Sequence, residues 1–196
     1  IKEAKNPWIL TGYILNFLMM SSVSLTSFCL IKYVTYLVND DKQANLAIAL
    51  VNKHLLSAAV FSGLFGFIAD KVNKFKLILF NVFCSMTSIT LLLLIKSPTE
   101  PMAYVAMVFF GSAAAGFMTV SGQLLNKYAS PQFRGSVLAV GGMVALAAGA
   151  SINILGVYLL HWSVFIPFLM YFGYAIIGLL VLIILYISKK DILNKP

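Results

Sequence analysis

Charge is what this 196-residue chain has least of: 10% of its residues are Asp, Glu, Lys or Arg, against 61% that are hydrophobic. So little polar surface cannot cover a water-soluble ball of this size, which excludes a soluble enzyme or binding module. Acid is scarcer still. The six carboxylates are Glu3, Asp40, Asp41, Asp70, Glu100 and Asp191, and each falls between apolar runs or at the end of one. A buried acid at mid-membrane depth, of the kind that carries protons, is therefore missing. The two cysteines, Cys29 and Cys84, lie in different runs at opposite depths, beyond disulfide reach, and read as small packing residues. There are two histidines, no signal peptide, no recognisable metal-ligand set and no cofactor motif.

What remains is length of apolar sequence. Crossing a hydrocarbon core of roughly 30 Å takes about 20 helical residues, whereas barrel strands need only about 10 and alternate in polarity. The apolar runs here are two to three times the strand length and do not alternate, so they read as helices, which satisfy their own backbone hydrogen bonds in lipid. Six spans are expected, at about 8–38, 44–69, 77–95, 102–128, 135–160 and 162–187. Polar or proline-bearing breaks separate them: Asn39 to Lys42, Asp70 to Lys76, Lys96 to Pro101, Ser130 to Arg134, and His161-Trp162. The fold class is thus all-α integral membrane, with residues 1–196 forming one six-helix domain and no room for a soluble catalytic domain. Beginning at Ile1 without an initiator Met, the chain reads as processed, incomplete or cut from something longer.

Basic residues near helix ends resist translocation and so set orientation. The termini with the second and fourth loops hold Lys2, Lys5, Lys71, Lys74, Lys76, Lys127, Arg134, Lys189, Lys190 and Lys195, while the opposite loops hold only Lys42 and Lys96. Ten against two places both termini on the cytoplasmic side of a multi-pass protein. The net charge of +8 is then mostly topology, and its scatter over short loops argues against nucleic acid as a partner.

Two segments carry a family resemblance. Gly66 and Asp70 share a helix face at the inner end of the second span, followed by Lys71, Asn73, Lys74 and Lys76 in a tight basic loop. This resembles the G-x-x-x-D-[RK]-x-G-x-[RK]-[RK] signature of the major facilitator superfamily of secondary transporters. Gly66, Asp70, Lys71 and Lys76 match it, and Asn73 replaces the usual Gly, as a residue that tolerates positive φ. The fourth loop is similar too, since Ser130-Pro131-Gln132-Phe133-Arg134-Gly135 contains the P-x-x-R-G found there in many facilitator halves.

The resemblance covers the whole chain as one half of a twelve-helix transporter, built from two inverted three-helix repeats. Lys5-Asn6-Pro7-Trp8 looks like a linker between halves, which favours the C-terminal half. In such a half the third and sixth helices face lipid, which suits the featureless sixth span. The second and fifth meet the other half, which would give Gly63, Gly141, Ala145 and Gly149 a role in half–half packing. Packing of these small residues within one bundle is the competing reading. The signature implies a latch on the cytoplasmic side, in which Asp70, positioned by Gly66 and flanked by Lys71 and Arg134, favours an outward-open state.

Polar groups inside spans are costly and mark cavities, partners or membrane edges. Lys53 and His54 lie roughly 25 Å along the second helix from Asp70, and Lys32 lies at similar outer height on the first. They read either as a basic vestibule that attracts an anionic solute, or as lysines snorkelling to headgroups beside a packing histidine. Ser24, with Ser21, Ser22, Thr26 and Ser27 around it, and Gln123 and Asn153 are further cavity candidates, with Tyr13 and Asn16 behind them; serines and threonines also bond their own helix carbonyls. Taken together, the expected function is transport of a small solute by alternating access, organic anions being the class such a vestibule suits. The partners are the bilayer, the solute and a second six-helix half. The alternative is a non-transporting subunit or scaffold that keeps the fold. An intramembrane enzyme using Ser121 or Ser57 with His54 or His161 is the weakest reading, because no nucleophile motif or base stands at the right depth, so no catalytic residue is assigned.

Overall fold

The computed structural model describes residues 6–38 and 44–188. The loop from Asn39 to Lys42 and the flanking Lys2, Lys5, Lys189, Lys190 and Lys195 lie outside the described residues. Among the described residues six helices are long and apolar enough to cross a membrane: α1 (Pro7–Val38), α2 (Ala44–Ala69), α3 (Lys74–Leu94), α4 (Pro101–Tyr128), α5 (Arg134–Leu159) and α6 (Ile166–Ser188). No strand occurs among the described residues.

Local chemistry explains the helix starts. Asn6 caps α1, its side chain accepting from the Trp8 amide at 3.0 Å, and Pro7 follows at the first helical position, where a missing N–H costs nothing. Pro101 opens α4 in the same way, while Glu100 Oε1 accepts from the amides of Lys96 and Ser97 and folds the preceding loop. Two boundaries differ from the sequence reading. The third helix starts at Lys74 and not Leu77, because Asn73 caps it and draws both lysines into the first turn. The sixth starts at Ile166 and not Trp162, since residues 160–165 form successive turns that leave Trp162 exposed.

Each helix reverses the last. Trp8 at the start of α1 stacks on Tyr128 at the end of α4, and Phe75 at the start of α3 stacks on Tyr186 near the end of α6. Lys71, Lys74, Lys76, Lys127 and Arg134 all stand at this end of the bundle, the basic end. At the opposite end Tyr33 donates to the Leu92 carbonyl and packs on Phe165 and Phe168.

The packing obeys an exchange of the first three helices with the last three. The main seams are α4 with α2, α4 with α3, α1 with α5, and α1 with α4. Swapping α1 with α4, α2 with α5 and α3 with α6 carries the first two onto α1–α5 and α1–α6 and leaves α1–α4 in place, as inverted repeats require. The sparse α1–α6 contact is the exception. Leu15, Leu18, Val82 and Phe117 fill the core toward the basic end, and Leu25, Tyr33, Leu50 and Phe110 fill it toward the other. Cys29 and Cys84 are buried and free, one in each of these clusters.

Candidate functional site

The loop between α2 and α3 joins α4 at the basic end. Gln123 donates from Nε2 to Asp70 Oδ1 at 3.5 Å, and Lys74 feels the charges of both Lys127 and Asp70. Gln123, read from the sequence as a cavity residue, is therefore at the Asp70 loop, five residues before the end of α4. Lys71 lies over the Phe67 ring at 3.8 Å, and Arg134 is exposed at the start of α5. The contact recorded for Asp70 is thus a neutral amide, not either flanking cation.

Asn73 also differs from expectation. Its φ of −56° and ψ of 117° are ordinary for any L-residue, so no positive φ is needed. The side chain instead accepts from the amides of Phe75 at 2.9 Å and Lys76 at 3.3 Å. Asn replaces the family glycine here as a helix cap, in a role for which it is among the best residues. Lys76 and Gly135 are exposed, and a Cβ added at Gly66 or Gly135 would meet nothing within 4 Å.

Two seams carry the remaining candidates. In the first, α2 crosses α4 so closely that a Cβ at Gly111 would overlap the His54 carbonyl oxygen and come within 2.9 Å of Ser57 Cβ. His54 is buried there, its ring 5.4 Å from that of Phe110, with Nδ1 unpartnered; Ser57 donates to the Val108 carbonyl at 2.8 Å. This corrects the vestibule reading for His54, because the turn that exposes Lys53 directs its neighbour into the helix crossing. Lys32 and Lys53 are exposed, as snorkelling side chains are.

In the second seam α5 lies along α1. A Cβ at Gly141 would stand 3.0 Å from Asn16 Nδ2, and one at Gly149 3.0 Å from Ser24 Oγ. Gly141 and Gly149 are thus occupied inside the bundle, which corrects their assignment to half–half packing. Ala145, between them, is half-buried. Gly63 and Gly142 behave differently, being exposed with nothing within 4 Å of an added Cβ.

Both helices of this seam contain a wide turn with π geometry, Leu25–Cys29 in α1 and Ile152–Gly156 in α5, and the two turns touch. Such turns release carbonyls from the α-helical ladder and recur at functional sites. Thr26 takes up the slack in α1 by donating to the carbonyls of Ser22 and Val23. Ser24 precedes one turn, while Asn153 lies in the other with its Oδ1 buried and unpartnered. These two are the cavity candidates that the fold brings near each other, one helical turn apart across Gly149.

Sequence reasoning missed a further polar group in the core. Tyr171 on α6 directs its hydroxyl at those of Ser22 on α1 and Ser85 on α3 without closing a well-formed hydrogen bond, and Asn81 on α3 packs on Gly116 with both amide atoms unpartnered. Asn81 in an apolar span was the available signal; reading α3 and α6 as lipid-facing hid it.

A bundle of six apolar, alternating helices related by inverted repeats defines an integral multi-pass membrane protein of transporter type. The chain belongs to the major facilitator superfamily, whose family model matches residues 9–196, and is on that ground a membrane transporter. Comparison with curated proteins and with solved structures finds no match.

Proposed function

We propose that this chain is one six-helix half of a secondary active transporter, which moves a small solute by rocking against a second half. The observation that carries the reading is the bareness of α2 and α5. Ala59, Gly63, Leu56 and Val60 on α2, and Gly142, Met143, Leu146 and Ala150 on α5, are exposed, and the two glycines leave flat surfaces with open space above them. Small residues on apolar faces suit close helix contact in lipid. The positive-inside bias supports a basic end that faces the cytoplasm.

In this reading the solute site lies along the α1–α5 seam near Ser24 and Asn153, where the unpartnered Asn153 amide oxygen and the Ser24 hydroxyl can bind a polar molecule. The Asp70–Gln123 contact acts as the latch, holding the α2–α3 loop against α4 while the basic end is closed. Organic anions are the first class to try, since Lys32 and Lys53 bring exposed positive charge to the far side. Uptake of labelled solutes into vesicles holding the full assembly tests the proposal. Expected is a solute whose transport falls in Asn153→Ala while the protein still inserts. Lack of transport or binding for every solute class would instead favour a scaffold that keeps the family fold.

A further inference from the structure

Where α6 leans on α1 and stands away from the first turns of α5, an apolar groove of about 490 Å³ opens between the three helices. Leu10, Tyr13 and Phe17 form its floor, Val144 one wall, and Ile177 and Gly178 the other. Its deep end is closed by Tyr174, whose ring meets Phe17 edge-on at 5.0 Å and whose hydroxyl donates to Ser151 Oγ at 3.3 Å. From Leu10 to Leu18 it runs about 12 Å along α1, a little less than half the roughly 30 Å hydrocarbon core. It is one leaflet deep and reaches the basic end at Leu10.

An arginine stands at the level of that end. Tyr13 donates to the Val137 carbonyl at 3.2 Å, which fixes the first turns of α5 beside the groove. Arg134, Val137, Gly141 and Val144 recur at steps of three and four, so they share one stripe of α5, with Val144 in the groove and Arg134 exposed one turn beyond Val137. Leu10 precedes Tyr13 by the same three residues, so Arg134 and Leu10 stand at one level. An apolar slot of leaflet length beneath an exposed cation complements one molecule in both parts. We infer that the groove binds an anionic phospholipid of the leaflet at the basic end, with an acyl chain on the α1 floor between α5 and α6 and the phosphate at Arg134. The inference needs the chain to span a bilayer and does not need the alternating-access reading.

The test is native mass spectrometry of the full chain in detergent with equal amounts of phosphatidylglycerol and phosphatidylcholine of identical chains. Expected is retention of phosphatidylglycerol about fivefold over phosphatidylcholine, the ratio one basic residue confers at an anionic surface, falling to parity in Arg134→Gln. Val144→Trp fills the groove and lowers retention of both lipids. Leu10→Trp, at a position already 37% exposed, does the same without burdening the core. Equal retention of the two lipids by the unaltered protein, an intact preference in Arg134→Gln, or retention indifferent to Leu10→Trp overturns the inference. A species of twice the mass that Leu10→Trp dissolves, with lipid retention unchanged, overturns it in favour of a second copy of the chain.

Discussion

Replacing Gly111 by alanine should force two helices of this bundle apart at the level of their backbones. The new Cβ would stand 2.9 Å from Ser57 Cβ and 3.0 Å from the Ala58 nitrogen, and would overlap the His54 carbonyl oxygen. Carbon atoms rest at about 3.5 to 4.0 Å, so α2 must withdraw by roughly 0.6 to 1 Å. Because the obstacles are backbone and Cβ atoms, no rotamer change relieves them. Overpacking costs about 1 to 3 kcal/mol, and a rigid crossing belongs at the upper end. The withdrawal also lengthens the Ser57–Val108 hydrogen bond from 2.8 Å. For a chain of this size 1 kcal/mol shifts the melting temperature by about 2 to 4 °C, so Gly111→Ala should melt about 6 to 12 °C lower in a thermal unfolding scan in detergent. Gly63→Ala is the control: it faces open space and gains helix propensity worth up to about 1 kcal/mol. Equal melting temperatures for the two variants would refute the close α2–α4 crossing. A Gly63→Ala protein that folds well yet no longer associates with a second half would in addition support the proposed interface.

Asn73→Ala removes a helix cap and should destabilise by about 1 kcal/mol, with Asn73→Gly losing only a few tenths; stabilisation by Gly in the same melting scan would mean that the turn wants positive φ after all. Asp70→Asn keeps an acceptor for Gln123 but removes the charge, and should move the balance between inward- and outward-open states by about two- to fivefold. Labelling of a cysteine placed at Asn153 with a membrane-impermeant maleimide, from each side, reads that balance, and an unchanged ratio rejects the latch. Ser57→Ala and Ser88→Ala each remove a hydroxyl that bridges to α4, at 2.8 Å to Val108 and 2.7 Å to Ala106. Such interhelical bonds average about 0.6 kcal/mol in membrane proteins, so each variant should melt about 1 to 3 °C lower, and the double variant should show nearly additive loss.

Helix number and order were legible because lipid enforces them: a span needs length and internal hydrogen bonding, and both leave long apolar runs punctuated by Pro, Asn and Lys. All six helix ends that close a span agree with the apolar pattern to within one residue. Side-chain direction was not legible, since a helix that is apolar all round shows no periodicity to say which face is inside. Lys53 and His54 are the plainest case, neighbours in sequence that point to lipid edge and helix crossing respectively. Gly141 and Gly149 resemble Gly63 in sequence and differ from it in space, because only a neighbour's position distinguishes a filled notch from an open one. Gln123 was misread for a related reason: depth was judged along its own helix, whereas the Asp70 loop that it meets comes from another.

The two seams related by the inverted repeat have diverged in one direction. Between α2 and α4 the backbones touch, with glycine at the crossing, the Ser57 hydroxyl tied to a carbonyl across it and a histidine locked inside. Between α1 and α5 the spacing is set by side chains that can turn, Asn16, Met20 and Ser24, and each helix is widened by a π turn. A close backbone crossing resists sliding, because packed backbone atoms have no rotamer through which to give way. A seam of rotatable polar side chains and loosened carbonyls accommodates both a guest and a change of spacing. On this argument α2 and α4 form the rigid frame and α1 with α5 the adaptable part. Substitutions at Ser24 or Asn153 should therefore alter solute handling with little loss of stability, whereas Gly111→Ala should do the reverse; a uniform thermal penalty at both seams would contradict it.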